Sequence, residues 1–261
     1  MASLLRYRIH FADSPFWAFA IHDGHQLDPT IVPFVRLDDG ERAREEDAHT
    51  SFMAELPGVN QVFVSTSRFQ LDLNRTEKDA VYLRPEQAWG LNVWKDPLPA
   101  SILHQLHQDH RNFYQQIDQQ IQQTIDTHGF FIVFDIHSYN AQRIDEKQSV
   151  DKEENPQINL GTDYNHQKWR PVIDAFIDTV RERQLLGEPI DIRENIKFKG
   201  GYLAQHIIQK FGGHGCVLSI EFRKDFMNEW TGLPYPPIVL EYKQLLLHTL
   251  KNLQKQDIYG V

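Results

Sequence analysis

The sequence lacks the features that mark secreted or membrane-bound proteins. Cys216 is the only cysteine among 261 residues, which excludes an intrachain disulfide and a cysteine-based zinc site. The longest apolar runs, such as residues 130–134, are far too short to span a bilayer. The first residues also lack the apolar segment and the cleavage site of a signal peptide. We therefore expect a cytoplasmic protein with no membrane partner.

Excess positive charge is also missing. The formal net charge is −9, whereas binding to nucleic-acid phosphates needs a net positive surface. A nucleic-acid partner is therefore not expected, although a few arginines in a pocket are enough to bind a small anionic substrate. A hydrophobic fraction of 41% and a charged fraction of 24% are ordinary for a globular protein. The length fits one large α/β domain over residues 1–261.

Stretches with strand and helix periodicity alternate along the chain. Strands are predicted at residues 5–11, 16–21, 61–73, 130–136 and 216–222, the third of which is expected to become irregular along its length. Helices are predicted at residues 101–127, 166–186, 200–211 and 236–254. The charged stretch 38–48 is predicted to be solvated, with a helix start as the alternative, and 145–157 is predicted to be a surface loop. This alternation favours a three-layer α/β/α sandwich, in which the site lies outside the strand ends.

Polar side chains that can carry chemistry follow or end four of the predicted strands. They are His22 and His25, then Asp72 to Arg75, then Asp135 and His137, and finally Glu221. The chain has thirteen histidines, an unusual number that points to metal or acid–base chemistry.

The spacing His22-x-x-His25 allows both rings to meet one metal ion. A catalytic zinc usually takes three protein ligands and leaves one position for water. With thirteen histidines in the chain, a chance pair of this spacing is also expected. His137 follows a buried strand and is held rigidly, and Asp135 beside it can fix the tautomer of a ligating ring. The alternative for His137 is a core histidine that is hydrogen-bonded to the backbone.

Two further strand ends carry groups that suit hydrolysis. The stretch from Asp72 to Arg75 offers an acid, an amide and a guanidinium. An arginine in a cleft suits bidentate binding of a substrate carboxylate, whereas the alternative is a solvated cluster with a structural ion pair. Glu221 lies in an alternating strand, where it is either an exposed edge residue or a general base beside a metal-bound water.

In this serial order, the segments resemble the N-formylglutamate amidohydrolase (N-formylglutamate deformylase) family, a relative of the zinc carboxypeptidases. The stretches that carry the resemblance are residues 67–75 (SRFQLDLNR), 135–138 (DIHS), 159–162 (NLGT), 198–202 (FKGGY) and 221–227 (EFRKDFM). The resemblance implies a zinc-carboxypeptidase-like (phosphorylase/hydrolase-like) fold with a mixed central sheet. It also implies one Zn²⁺ per chain, or another divalent metal, and cleavage of the N-acyl amide of an acidic amino acid such as N-formyl-L-glutamate. The products would be formate and the free amino acid, as in histidine degradation.

The resemblance also implies roles for particular residues. His22 and His137 would be metal ligands. His25 stands where the carboxypeptidase pattern has a glutamate ligand and is preferred as the third ligand, while Asp47, an acidic residue shortly before His49, is its rival. The other implied roles are Asp72 behind His22, Asp135 behind His137, Asn74, Arg75 and Arg68 at the substrate carboxylate, Arg143 at the oxyanion, and Glu221 as general base and then proton donor.

Two other functions fit the same residues. A carboxypeptidase-like peptidase, or a deacylase of another N-acyl amino acid, would bind a substrate carboxylate in the same way. A non-catalytic metal-binding relative would keep the fold without the reaction. The loops at residues 76–97 and 228–232 hold three tryptophans and are predicted to shape the choice of substrate.

Overall fold

The structure, a computed structural model, describes residues 2–256. Its strands are β1 (Tyr7–His10), β2 (Phe16–Ala20), β3 (Asn60–Val64), β4 (Phe131–Tyr139), β5 (Ile158–Gly161), β6 (Gln184–Leu185), β7 (Glu188–Pro189), β8 (Ile192–Glu194) and β9 (Gly215–Arg223). Seven of these strands form one sheet in the order β1-β3-β2-β4-β9-β5-β8, while β6 and β7 form a separate hairpin.

The sheet is mixed, and its centre is parallel. Strands β3, β2, β4 and β9 run parallel to one another, whereas β1 is antiparallel to β3 and β5 is antiparallel to β9. The carboxyl ends of β2, β4 and β9 therefore meet at one edge. In this register His137 on β4 lies opposite Glu221 on β9, and His22 follows the end of β2. The parallel centre thus brings three predicted site residues to the same edge.

Helices cover both faces of the sheet. They are α1 (Asp39–Glu45), α2 (Thr50–Ala54), α3 (Ala100–His128), α4 (Arg170–Arg181), α5 (Tyr202–Phe211) and α6 (Pro236–Lys255). Successive residues of a strand point to opposite faces. Ala18 and Ala20 of β2 accordingly pack in one core with α2, α4 and α6, whereas Trp17 and Phe19 pack in a second core with α3 and α5. This arrangement confirms the predicted three-layer α/β fold. Within residues 2–256, none of the helices has the length and apolarity that a membrane crossing requires.

The five strands and four long helices predicted from periodicity are present, with shifted ends. Helix α3 ends at His128 and is capped by Gly129, whose φ of 81° is the left-handed conformation that favours glycine at a helix end. The segment at residues 61–73, predicted as a strand that becomes irregular, is a strand as far as Val64 and irregular chain beyond it. Strands β5 and β8 and helix α2 were missed because runs of three to five residues carry little periodicity.

The interpretation of residues 38–48 as solvated is wrong for half of their charged side chains. The stretch contains α1, whose N-terminus is capped by a reciprocal capping box between Asp38 and Glu41. The charged side chains that follow, Arg42, Glu45, Glu46 and Asp47, are buried. Charged groups can be buried when they are paired, and each of these four has an ion pair or a hydrogen bond to a partner from another part of the chain.

Gly161, the last residue of β5, packs against the backbone of a neighbouring loop, and this contact predicts a stability effect. A Cβ there would lie 2.5 Å from Gly200 N and 2.8 Å from Lys199 C, and the backbone cannot easily move away. We expect Gly161→Ala to lower the free energy of unfolding by about 1–3 kcal/mol, measured by urea denaturation. In the control Gly213→Ala the new Cβ meets nothing within 4 Å, so the change should stay within about 0.5 kcal/mol. Equal losses in both variants would contradict the argument.

Candidate active site

Two histidines and one aspartate form a buried cluster at the carboxyl edge of the sheet. His22, Asp47 and His137 each offer a ligand atom, and these atoms lie within 4.8 Å of one another. Asp47 Oδ2 is 3.4 Å from His22 Nδ1 and 2.9 Å from His137 Nδ1. Over residues 2–256, no second group of three or more histidines, cysteines or acids has metal-binding geometry. This cluster is therefore the place where a cation fits.

Each histidine of the cluster is held from behind by a carboxylate. His22 Nε2 is 2.7 Å from Asp72 Oδ1, and His137 Nε2 is 2.8 Å from Asp135 Oδ1. A carboxylate can only accept, so both Nε2 atoms carry protons and donate them. Both Nδ1 atoms then face Asp47, and a metal-ligating histidine normally has a carboxylate behind it in this way. The donor set of two imidazole nitrogens and one carboxylate oxygen fits zinc.

The electrostatics of the cluster also suit a cation. Burial raises the pKa of Asp47, but hydrogen bonds from His137 and His22 outweigh it and hold the pKa far below its usual range. Burial lowers the pKa of His137, yet Asp135 and Asp47 raise it well above the usual value. The ionised Asp47 thus stabilises a second proton on His137. A metal ion would displace that Nδ1 proton, since only a neutral imidazole can bind a metal.

The structure does not bring His25 into the cluster. Its side chain is 45% exposed, and its Nδ1 lies 2.5 Å from Glu46 Oε2 while its Nε2 lies 3.1 Å from a nitrogen of Arg42. Between His22 and His25, Gly24 packs so closely against the backbone of Ser65 that a Cβ would lie 2.4 Å from the Ser65 carbonyl carbon. The geometry therefore favours Asp47 over His25 as the third ligand.

Asp47 reaches the cluster because its backbone is tied to the end of β2. Its N–H donates to the carbonyl of His22 at 2.9 Å. Asp72, behind His22, is held in turn by Arg68 Nη2 at 3.0 Å and by the hydroxyl of Tyr82. Arg68 is thus engaged mainly in supporting the cluster. Its other terminal nitrogen lies 3.8 Å from Asp47 Oδ1, and the side chain also lines the cavity described next.

A cavity of about 330 Å³ opens over the cluster. Such a volume is at the lower end of those that hold small ligands. Glu221 lines it next to His137, and burial raises the pKa of Glu221 to about 8. A bound cation would lower that pKa again by its charge. The cationic side chains of the lining are Arg68, Arg75, Arg143, Lys197, Lys199 and Lys224.

Arg75 offers the cavity a guanidinium that is almost unpaired. Its side chain is 48% exposed, and the ion pair found for it in the described chain is a 4.0 Å approach to Asp72. Its backbone is fixed, because the carbonyl of Arg75 accepts a hydrogen bond from His110 Nε2 at 2.9 Å. The guanidinium is thus available for a ligand while its main chain is held in place.

The side chain of Asn74 is already hydrogen-bonded within the protein, which the sequence does not indicate. Its Oδ1 accepts from Leu203 N at 3.0 Å in the first turn of α5. Its Nδ2 lies 3.5 Å from His137 Nε2, but that nitrogen donates to Asp135, so the Nδ2 protons remain for a ligand. Gly201 allows this contact, because a Cβ there would lie only 2.2 Å from Asn74 Nδ2. The two glycines of the FKGGY stretch therefore form one wall of the cavity against Asn74.

Arg143 lines the cavity but is bound to an acid that the sequence reading did not single out. Its Nη1 lies 2.8 Å and 2.7 Å from the two carboxylate oxygens of Glu45. Its guanidinium also lies 5.8 Å from the ring centre of Trp89. Besides Glu45, sequence reasoning missed Lys197, Lys199 and Lys224. Lys199 and Lys224 lie within stretches that carry the family resemblance, and Lys197 directly precedes one, so position in or beside a motif was the available signal.

The mixed sheet and the buried His–Asp–His cluster define an α/β protein whose polar cavity could hold a metal ion. The chain belongs to the N-formylglutamate amidohydrolase family, whose model matches residues 14–227. This confirms the family predicted from the sequence and supports a hydrolase that acts on amide bonds. A search of curated protein sequences finds no match.

Solved structures share the fold at low sequence identity. An N-formylglutamate amidohydrolase from Ralstonia eutropha JMP134 gives a TM-score of 0.74 at 14% identity, covering 95% of this chain and 98% of that one. A gene product from Agrobacterium tumefaciens gives a TM-score of 0.66 at 14% identity, covering 95% and 96%. A metallo-carboxypeptidase from Burkholderia cenocepacia gives 0.38 at 15% identity, covering 92% of this chain and 57% of that one. At such identities, the two higher scores show a shared fold.

Proposed function

We propose that this protein is a zinc-dependent amidohydrolase that removes the N-acyl group, in particular N-formyl, from an acidic amino acid such as N-formyl-L-glutamate. The observation that carries the proposal is the His22–Asp47–His137 cluster beside Glu221 in a cavity of a family member. These three residues would hold the metal. Cobalt, manganese or iron also suits a mixed nitrogen and oxygen site.

The reaction follows from what the lining residues can do. A bound zinc ion would act as a Lewis acid and lower the pKa of water to about 7. Glu221 takes a proton from the attacking water and then delivers it to the leaving nitrogen, so that formate and the free amino acid are released. Arg143, once turned from Glu45, stabilises the negative charge that develops on the acyl oxygen.

The cationic side chains of the cavity support an acidic substrate. Arg75, with the Nδ2 group of Asn74, binds the α-carboxylate. Lys197 and Lys199 reach the cavity from a different segment, and neither forms an ion pair with a carboxylate in the described part of the chain. Two separate cationic groups suit a substrate with two carboxylates, and we assign the side-chain carboxylate to these lysines.

A second candidate function rests on an adjoining cavity of about 530 Å³. It shares Asn74, Arg75, Gly200 and Gly201 with the first cavity, so a larger substrate could extend past Arg75. A deacylase of bulkier N-acyl amino acids, or a peptidase, would use this space. A substrate panel with N-formyl, N-acetyl and peptide substrates separates the two candidates.

The test of the proposed function combines metal analysis with formate release from N-formyl-L-glutamate before and after chelation. We expect about one zinc per chain and release that stops on chelation and returns with metal. Bound metal with hydrolysis of another panel member would move the proposal to the second candidate. Bound metal with no hydrolysis at all would favour a non-catalytic relative. A protein that takes up no metal would contradict the proposal.

Removing the Arg75 guanidinium is expected to weaken substrate binding. Hydrogen bonds to charged groups contribute about 1.5–3 kcal/mol, so Arg75→Gln should lower kcat/KM by about 10–100-fold, mainly through KM. Steady-state kinetics measures both constants. Arg111→Gln is the matched control, because Arg111 is similarly exposed at 42% but pairs with Glu77 outside the cavity. An unchanged KM in Arg75→Gln would exclude this role.

A further inference from the structure

The segment that carries Asp47 has no regular structure of its own to hold it. Helix α1 ends at Glu45, and α2 begins at Thr50. One support is the hydrogen bond from Asp47 N to the carbonyl of His22. A ligand needs a fixed position, so the other supports of this segment decide how well the site is formed.

Lys224 supplies a support from the opposite side. Its side chain is buried, and its Nζ donates to the carbonyl of Arg44 at 2.6 Å and to the carbonyl of Glu46 at 2.9 Å. The second of these carbonyls belongs to the peptide bond that leads into Asp47. Asn140 Nδ2 donates to the same Arg44 carbonyl at 2.8 Å. The main chain just before Asp47 is thus held by hydrogen bonds from side chains that follow the ends of β4 and β9.

The backbone of Lys224 is itself held by the sheet. Its backbone N–H donates to the carbonyl of Tyr139 at 3.0 Å, which continues the pairing of β9 with β4. Lys224 lies three residues beyond Glu221 on the same run of chain. It therefore connects the strand that carries the proposed general base to the segment that carries the proposed third ligand.

Burying a lysine ammonium costs desolvation free energy, so a lysine is not the side chain that would best stabilise a loop. Its ammonium makes no ion pair within 4 Å in the described part of the chain and is satisfied by backbone carbonyls. Apolar side chains of similar volume are often at least as stabilising in such places. The geometry points to Lys224 as a positioning residue that sets the place of Asp47 in the metal site. This inference rests on the proposed metal-dependent function.

Positioning and simple electrostatics predict opposite effects on metal affinity. Lys224 brings a positive charge close to the cluster, so its removal would by charge alone tighten cation binding. If instead the lysine positions Asp47, its removal weakens binding. Loss of an outer support of a metal ligand typically lowers metal affinity about 10–100-fold, and we expect this range for Lys224→Met.

The experiment measures Zn²⁺ affinity by chelator competition and the absorption spectrum of the Co²⁺-loaded protein, without any need for turnover. We expect Lys224→Met to bind Zn²⁺ more weakly and to show an altered Co²⁺ spectrum. Lys243→Met is the control, because the ammonium of Lys243 is also held within the protein, here by an ion pair with Glu55 at 3.3 Å, but lies away from the cavity. Its affinity and spectrum should equal those of the wild type.

The remaining outcomes of this experiment each decide whether the inference stands. Wild-type affinity or tighter binding in Lys224→Met would overturn the inference while leaving the proposed function in place. A wild-type protein that binds no divalent metal would overturn both. If Lys224→Met does not fold, Lys224→Arg replaces it, since arginine keeps the charge but cannot place a compact ammonium between the two carbonyls. A weaker affinity with an altered Co²⁺ spectrum is then expected, and unchanged values would overturn the inference.

Discussion

Replacing Glu221 with glutamine is expected to lower kcat by about 10²–10⁴-fold, the usual contribution of a general acid–base residue. Glutamine has nearly the same shape but cannot accept and return a proton. Glu221 lies outside the His–Asp–His group that could hold the metal, so the metal should remain bound. Turnover of N-formyl-L-glutamate and metal content, measured on the same sample, check both parts of the prediction.

The control for this variant is another glutamate on a strand of the same sheet. Glu194 ends β8, where its carboxylate pairs with Arg170 at 2.8 Å and does not line the 330 Å³ cavity. Glu194→Gln should therefore keep kcat within a few-fold of the wild type. A Glu221→Gln protein that keeps its metal and still turns over at a near wild-type rate would remove Glu221 from the mechanism.

Removing the Asp47 carboxylate is expected to abolish stable metal binding. Loss of a group that only supports a ligand costs about 10–100-fold in affinity, so loss of the ligand itself should exceed about 100-fold. The same Zn²⁺ competition assay, applied to Asp47→Ala, measures the effect. Hydrolysis should fall with the metal, and excess zinc should restore little of it.

His25→Ala is the decisive comparison, because His25 and Asp47 are the rival third ligands. In the structure His25 lies outside the cluster, and Glu46, which it contacts, keeps hydrogen bonding from Ser67 when the ring is removed. We expect this variant to bind zinc within a few-fold of the wild type. The reverse result, with metal lost in His25→Ala and kept in Asp47→Ala, would overturn the assignment that the geometry favours.

Hydrophobic periodicity was enough to locate the strands and helices that position most of the site residues. Apolar residues at helical spacing, closed by Gly129, predict α3, and the run FFIVFDI predicts β4. His22, His137 and Glu221 could be singled out because each lies at or beyond the end of a predicted strand. Parallel strands carry their ends to one edge, so residues distant in sequence converge without any contact being known.

The preference for Asp47 over His25 as the proposed third ligand could not be found in this way. Asp47 is 90 residues from His137 in the chain, and it lies in a charged stretch that reads as solvated. Whether such a charge is buried depends on partners that arrive only on folding. Arg143 reaches Glu45, and Lys224 reaches the backbone around Glu46, from far along the chain. Periodicity therefore predicts the strands, the helices and the strand ends, while long-range pairing of buried charges brings Asp47, and not His25, into the cluster.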